Sequence, residues 1–471
     1  MNLISHLYDF VYYKISEAIS TIVADFAPIE SVGLLLSDSL RGLAGTDFVA
    51  SGLTALATVP FFIMMASIEP SDKEKAKRYF HEGMVYVELG LPHRAIKTFT
   101  RVIKLNPQDA KAYCNRGVAR ARLEQYLQAV SDYTKAIEFN PEYDEAYYNR
   151  GIAYDDLGKL DNAISDYTKA IELNSEYDEA YYNRGIAHAK LDQHVQAVSD
   201  YTEAIKLDPQ LAEAYYNRGI ARAKLDQHVQ AVSDYTEAIE LDPLLAGAYC
   251  NRGIALAKLN QHLQAVSDYT IALGVDPQLA EAYCSRGVAR AKLKQYLQAV
   301  SDYTEAIELN SKYDEAYYNR GIAHAKLEQY LQAVSDYTKA IELDPEYAEA
   351  YYNRGNTYFN LDKYEQAISD YTKAIEFNPE YDRAYYNRGI TYDDLGKLDN
   401  AISDYTKAIE LNSEYDEAYY NRGLTYILLG KTGEAKKDLL NAVALNPALK
   451  TKVKEVSALF KELNLELDNP S

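Results

Sequence analysis

One asparagine recurs at a fixed interval of 34 residues along most of the chain, and tyrosine or cysteine directly precedes it. A primary amide offers two donors and an acceptor, so it can hold the backbone of an extended peptide whatever side chains that peptide carries. Each such hydrogen bond contributes about 1 kcal/mol net. We therefore predict a peptide-binding face formed by Asn115, Asn149, Asn183, Asn217, Asn251, Asn319, Asn353, Asn387 and Asn421, with the tyrosines Tyr148, Tyr182, Tyr216, Tyr318, Tyr352 and Tyr386.

Other reactive residue types give no sign of catalysis. The three cysteines, Cys114, Cys250 and Cys284, stand where other copies carry tyrosine, and they lie too far apart in sequence for a zinc cluster of the Cys-x₂-Cys type. Their odd number supplies no disulfide framework, which favours a reducing compartment. No grouping of His, Ser, Cys and carboxylates recurs outside the 34-residue register. We predict that the protein is not an enzyme and has neither a metal nor a cofactor.

A second recurring pair carries opposite charges. Arginine follows the asparagine directly, as at Arg150, and aspartate recurs sixteen residues later, as at Asp166. A partly buried, multiply bonded ion pair can fix how helices stack. We interpret the pair as structural, with the arginine facing a second-helix carboxylate of its own or of the preceding copy.

The overall charge limits the class of partner. The formal net charge is −21, from 70 acidic and 49 basic residues, which disfavours nucleic acid and anionic membrane surfaces. Basic or neutral protein segments fit better. Four residues before the asparagine, or before Ser285 in one copy, the same helix face carries a row of glutamates: Glu145, Glu179, Glu213, Glu281, Glu315, Glu349 and Glu417.

The elements that position these residues are copies of one unit. Glycine recurs with the same interval from Gly83 to Gly423, which defines eleven repeats over residues 76–449. In the repeat at 178–211, apolar residues follow a helical period in two stretches, and Pro209 ends the second. The sequence therefore predicts two helices per repeat, packed closely at Gly185 because glycine has no side chain.

These residues resemble the tetratricopeptide repeat (TPR) family. Tyrosine at position 4 of the repeat, glycine at 8 and alanine at 20 hold in all eleven copies, and position 24 is aromatic in ten. The resemblance implies an all-α fold, an α-solenoid in which helix-turn-helix hairpins form a right-handed superhelix with a concave groove lined by the first helices. Arginine at position 7 departs from the leucine usual in the family. We expect residues 450–471 to supply a C-terminal capping helix and a tail.

Composition changes before the array, in residues 1–75, which we predict to form an apolar helical segment. Residues 48–68 are uncharged over 21 positions, long enough to cross a bilayer, and basic residues follow them. We predict a membrane anchor with the repeats facing the cytoplasm. The alternatives are a soluble or extracellular assembly in which this segment folds as a helical subdomain or interlocks with the first repeat or another subunit.

Binding is the function that these observations favour. We predict a scaffold or adaptor that holds an extended protein segment in the groove and is tethered to a membrane. The alternative is a structural protein that self-associates into oligomers or filaments, since head-to-tail stacking of similar repeats need not close. Replacing Asn183, Asn217 and Asn251 by alanine is expected to weaken binding without lowering the melting temperature.

Overall fold

The computed structural model describes residues 71–459, and every regular element in that range is helical. The chain divides into two compact units, with the boundary between Gln125 and Tyr126. The described helices of the first unit are Asp72–Glu88, Pro92–Leu105 and Ala110–Ala121. Those of the second unit are Tyr126–Phe139, Asp144–Asp156, Leu160–Leu173, Asp178–Lys190, His194–Leu207, Ala212–Lys224, His228–Leu241, Ala246–Lys258, His262–Val275, Ala280–Lys292, Tyr296–Leu309, Asp314–Lys326, Tyr330–Leu343, Ala348–Asn360, Tyr364–Phe377, Asp382–Asp394, Leu398–Leu411, Asp416–Leu428, Thr432–Leu445 and Lys450–Leu459.

The predicted apolar segment, including the candidate span at 48–68, lies outside the described residues. Within residues 71–459, no helix is both long enough and apolar enough to cross a bilayer. The prediction of two helices per repeat is confirmed, and successive helices of the second unit pack as an array of helical hairpins.

Local turns separate the helices of each repeat, as the copy at 178–211 illustrates. The second helix ends at Leu207, and the next residue, Asp208, leaves the helical region. Its side chain accepts a hydrogen bond from the backbone N–H of Gln210 at 2.9 Å, which closes the turn. Between the two helices, Asp192 adopts a φ of 57°, in the left-handed region. Four other repeats carry glycine at the equivalent position, Gly90, Gly158, Gly396 and Gly430, and each adopts this conformation without strain.

The core of most hairpins is a glycine packed against an aromatic ring, whereas in the last hairpin Gly423 packs against Leu439. A Cβ added at Gly185 would lie 2.7 Å from Cε1 of Tyr201, closer than van der Waals contact allows. Tyr201 is almost fully buried, and Ala197, Ala221 and Ile186 pack around it. Burial of one such ring stabilises its repeat by about 2 kcal/mol, and the arrangement recurs from copy to copy.

The described part of the predicted capping segment is helical. After one turn of 3₁₀ helix at Pro447–Leu449, the helix Lys450–Leu459 packs Val453, which is fully buried, against Ile427 and Leu439. The final helix therefore covers the apolar face of the last repeat, which would otherwise be exposed to solvent.

Candidate binding face of the first helices

The predicted face lies on the first helix of each repeat and consists of repeat positions 2, 5, 6, 9, 12 and 13. The glutamate is at position 2, the tyrosine at 5 and the asparagine at 6. We call this surface the first-helix face. Along it, the asparagine of one repeat donates a hydrogen bond to the tyrosine hydroxyl of the preceding repeat. The six bonds run from Nδ2 to Oη: Asn183 to Tyr148 (2.9 Å), Asn217 to Tyr182 (3.0 Å), Asn251 to Tyr216 (3.1 Å), Asn353 to Tyr318 (2.9 Å), Asn387 to Tyr352 (3.0 Å) and Asn421 to Tyr386 (2.9 Å).

These bonds give the amides a structural role that the sequence did not indicate. One N–H of each amide is engaged, so the second N–H and the carbonyl oxygen are what a guest could use. Asn387 has only its carbonyl oxygen available to a guest, because its Nδ2 also donates to the side-chain oxygen of Asn356 at 2.8 Å. The expectation that alanine substitutions leave the melting temperature unchanged is therefore revised: each removes a bond between repeats, worth about 1 kcal/mol.

Three predicted asparagines stand outside this series. Asn115 lies in the first unit, and its Nδ2 donates to the carbonyl oxygen of Lys111 at 2.9 Å. Asn149 is half-exposed, and Asn319 lies beside Cys284 in place of a tyrosine hydroxyl. The structure thus brings together six of the nine predicted asparagines with all six predicted tyrosines.

Burial governs the chemistry of the tyrosine hydroxyls. Burial, together with the carboxylate of Glu179 in the next repeat, raises the pKa of Tyr148 to about 12, although the bond from Asn183 lowers it. Tyr386 behaves alike, with a pKa raised to about 12 by burial and by Glu417. The rings also pack against neighbouring tyrosines, as Tyr148 does on Tyr177 with centroids 4.7 Å apart. These hydroxyls remain protonated and act as hydrogen-bonding groups.

The cysteines interrupt the series of tyrosines. Burial raises the pKa of Cys250 to about 11 and that of Cys284 to about 12, so both are protonated thiols near neutral pH. Across residues 71–459, no cluster of three His, Cys, Asp or Glu side chains has the geometry to hold a metal ion.

The glutamate row lies at the exposed N-terminal end of the first-helix face. All seven side chains are exposed, and no ion pair within the described range includes any of them. Burial and the adjacent Asp178 raise the pKa of Glu179, which reflects the local excess of negative charge. This row is a set of carboxylates without ion-pair partners in seven repeats, interrupted by Gly247 and Arg383 at the same position of two others.

The arginine pair is structural, as interpreted, and it has a third member. Arg184 binds the buried carboxylate of Asp200 in its own repeat through two bonds of 2.6 and 2.9 Å. Its Nη1 also donates to the Thr168 hydroxyl of the preceding repeat at 3.0 Å, and its guanidinium lies over the Tyr181 ring. The bond to threonine recurs nine times in the second unit, from Thr134 to Thr406. Sequence reasoning missed this threonine, although it recurs as regularly as the aspartate.

Four family models match the chain. The tetratricopeptide repeat model matches residues 110–143, 144–177, 178–211, 212–243, 280–313, 348–381 and 382–415. Related models described as tetratricopeptide or TPR repeats match residues 76–109, 323–362 and 404–437. A comparison with curated protein sequences gave no match.

Several solved structures are similar to parts of this chain. YrrB, described as a TPR protein with an unusual peptide-binding site, is 27% identical over 40% of this chain and 97% of its own, with a TM-score of 0.37. MamA from Desulfovibrio magneticus RS-1 is 22% identical over 36% of this chain and 97% of its own, with a TM-score of 0.35. Yeast Tom70 is 16% identical over 85% of this chain and 98% of its own, with a TM-score of 0.36. The repeat motif, its hairpin geometry and the family models agree: the chain belongs to the tetratricopeptide repeat family.

Proposed function

We propose that this protein is a non-catalytic scaffold that binds an extended, basic or neutral protein segment along the first-helix face of residues 144–428. The observation that carries the proposal is the row of seven exposed glutamates without ion-pair partners. A guest with lysine or arginine side chains would supply the missing cations. The net charge of −21 adds long-range attraction for the same class of guest.

The neighbouring amides complement the glutamates. The carboxylate of Glu179 lies close enough to Tyr148 to raise the pKa of its hydroxyl, and Asn183 is bonded to that hydroxyl. In four steps of the array, at Glu179, Glu213, Glu349 and Glu417, a carboxylate thus lies near a tyrosine hydroxyl that is bonded to an amide, and that amide keeps one N–H and its carbonyl oxygen. A carboxylate accepts from a cationic side chain, and the amide can bond to the guest backbone.

A peptide selection with two matched triple variants tests this proposal. Linear peptides are selected on the full chain from a random library, and their affinities are measured by titration calorimetry. The variant Glu213→Gln, Glu281→Gln, Glu315→Gln removes three exposed carboxylates from the first-helix face. The control Asp161→Asn, Glu365→Gln, Asp399→Asn makes the same change in net charge at exposed second-helix positions.

We expect basic, extended peptides whose affinity falls about tenfold in the first variant, since an exposed ion pair contributes about 0.2–1 kcal/mol. The control should bind as the unmodified chain does. Selection of acidic or compactly folded peptides, or equal losses in both variants, would refute the proposal.

Self-association is a second candidate, and an apolar row on the second helices favours it. Position 18 is Val195, Val229, Leu263, Leu297 or Leu331 in five consecutive repeats, and each side chain is about two-thirds exposed. The same position is acidic in the repeats on either side, at Asp161 and Glu365. Exposed apolar side chains in a regular row are typical of contact surfaces.

Sedimentation velocity decides this candidate. Replacing Val229, Leu263 and Leu297 by glutamate should convert an associated chain into monomers. The control places three glutamates one residue further on, at Gln230, Gln264 and Gln298. A monomeric unmodified chain, or equal dissociation in both variants, rules this surface out.

We also propose that residues 48–68 tether the protein to a membrane, with the repeats on the cytoplasmic side. The support is the uncharged run of 21 residues and the basic residues after it. Carbonate extraction of membranes measures the tether, and lysines in place of Phe62 and Ile63 should release the chain. Complete extraction of the unmodified protein would contradict the tether.

A further inference from the structure

Two repeats of the second unit have nearly the same sequence but different neighbours on their C-terminal side. Residues 144–177 and 382–415 differ at two of 34 positions. Both carry aspartate at position 12 of the first helix, on the first-helix face, at Asp155 and Asp393. They provide an internal comparison in which one carboxylate is placed in two different surroundings.

In the earlier copy, the carboxylate binds a cation. The Nζ atom of Lys190, from the next repeat, donates to Oδ1 and Oδ2 of Asp155 at 2.9 and 2.8 Å. The side chain of Asp155 is about one-fifth exposed, and that of Lys190 is half-exposed. The geometry at this position therefore accommodates a primary ammonium group on both carboxylate oxygens.

In the later copy, the next repeat supplies no cation. The residue equivalent to Lys190 is Leu428, whose side chain is 66% exposed. Thr425 donates to Oδ2 of Asp393 at 2.9 Å, whereas Oδ1 is buried and has no hydrogen-bond partner among residues 71–459. The neighbouring Asp394 is exposed and belongs to no ion pair in the described range.

The electrostatics at this position favour a cation. Burial raises the pKa of Asp393, and the adjacent Asp394 raises it further, while the bond from the Thr425 hydroxyl and the nearby Tyr405 hydroxyl, which makes no bond of its own to Oδ1, lower it. A buried carboxylate oxygen without a hydrogen bond lowers the stability of the folded protein, and a hydrogen-bond donor removes that cost. In the earlier copy, the lysine ammonium is that donor.

We propose that Asp393 is a subsite for a primary ammonium group of the guest, supplied by a lysine side chain. The guest ammonium would approach from the side on which Lys190 reaches Asp155, past the exposed side chain of Leu428. The inference rests on the proposed function, because it assumes a guest on the first-helix face. The inference adds that one end of that face selects lysine. The selecting group is the carboxylate of Asp393, which has no cationic partner within the described residues.

The first test places an ammonium group inside the chain. Leu428→Lys reproduces the earlier copy, and it should raise the melting temperature by about 1–2 °C. The neutral control is Leu428→Gln. In a chain that also carries Asp393→Asn, Leu428→Lys should not raise the melting temperature. An equal increase with and without Asp393, or none at all, would show that this carboxylate does not accept an ammonium group and would overturn the inference.

The second test uses a guest probe, a short capped peptide of alternating lysine and serine, measured by calorimetry on the full chain. Asp393→Asn should weaken its binding about tenfold, as loss of a hydrogen-bonded charged partner does. Leu428→Lys should weaken it as much, because the tethered ammonium occupies the subsite. Asp399→Asn, an exposed second-helix change of the same charge, is the matched control.

The outcomes separate this inference from the proposed function. If the glutamate triple variant weakens the probe but Asp393→Asn acts only as Asp399→Asn does, the binding face stands and the subsite is wrong. If the probe binds the unmodified chain no better than the glutamate triple variant, the proposed function fails. In that case, a guest role for Asp393 is excluded as well. The rise in melting temperature from Leu428→Lys then shows only whether Asp393 accepts an ammonium group within the chain.

Discussion

Arg354 should be far more costly to remove alone than together with its partner. Its guanidinium binds both oxygens of Asp370 at 2.7 and 2.8 Å, bonds to the Thr338 hydroxyl of the preceding repeat at 2.9 Å and lies over the Tyr351 ring. The side chains of Arg354 and Asp370 are only 15% and 7% exposed. Arg354→Met therefore leaves a buried carboxylate without a cation.

The structure sets the expected magnitudes. Breaking a buried ion pair from one side costs about 3–5 kcal/mol, and loss of the cation–π contact with Tyr351 adds about 0.5–1 kcal/mol. Thr338 is not orphaned, because its hydroxyl also donates to the carbonyl oxygen of Val334 at 2.7 Å. Adding Asp370→Leu removes the stranded charge, so the double variant should lose about 1–2 kcal/mol in total.

The pH dependence has a definite sign. Burial raises the pKa of Asp370, and the hydrogen bond and charge of Arg354 lower it. Without Arg354, that pKa rises further, so the folded state binds a proton more tightly than the unfolded chain does. The destabilisation of Arg354→Met should therefore be largest near neutral pH and should shrink as the pH falls through the pKa of Asp370 in the folded state.

Hydrogen exchange is the suitable assay, because repeat arrays can open locally and exchange reports on the stability of the altered repeat itself. Peptides from residues 348–377 should exchange fastest in the single variant and more slowly in the double variant. Lys373→Met, which breaks an exposed pair with Glu376 on the same helix, is the control and should leave exchange unchanged. Equal protection in the single and double variants would refute the reasoning.

Three further predictions concern packing, backbone conformation and burial. Gly321→Ala should cost about 1–3 kcal/mol by chemical denaturation, because its Cβ would lie 2.7 Å from Cε1 of Tyr337; a neutral result would show that the ring can move aside. Lys294→Gly should stabilise by about 1 kcal/mol, because Lys294 has a φ of 60°, whereas Gly158→Ala, with a φ of 69° at the equivalent position, should destabilise; equal signs would contradict the strain. The thiol of Cys284, with a pKa raised to about 12, should react with a disulfide reagent about a thousandfold more slowly than an ordinary thiol until the chain unfolds, and rapid reaction in the native state would disprove its burial.

The fold could be predicted from the sequence because its signals are local and repeated. The spacing of the glycine and the alanines places two helices in each repeat, and the pairing of Gly185 with Tyr201 is expected from size alone. The backbone strain at Asp192 was missed, although the 34-residue register gave one sign of it: the equivalent residues Gly158 and Gly396 are glycine, the residue that favours a positive φ.

The candidate site was predicted less completely because its bonds depend on how one repeat is placed against the next. Asn183 and Tyr148 are 35 residues apart, and Arg184 and Thr168 are sixteen apart in the direction opposite to Asp200. Helical periodicity relates residues within a helix, but it gives no rotation between neighbouring hairpins. The sequence thus identified the amides and the arginines, while their partners in the preceding repeat depend on the three-dimensional stacking.

The bonds between repeats have a genetic consequence. In the second unit, an arginine reaches back sixteen residues to a threonine, and an asparagine reaches back 35 residues to a tyrosine, with the same offsets in copy after copy. A unit that is duplicated or excised in register therefore leaves its flanking units with intact partners. The near-identity of residues 144–177 and 382–415 is what recent exchange between such units would leave behind. The gene can thus lengthen or shorten the array in steps of one hairpin, and with it the reach of the surface, without redesigning any junction.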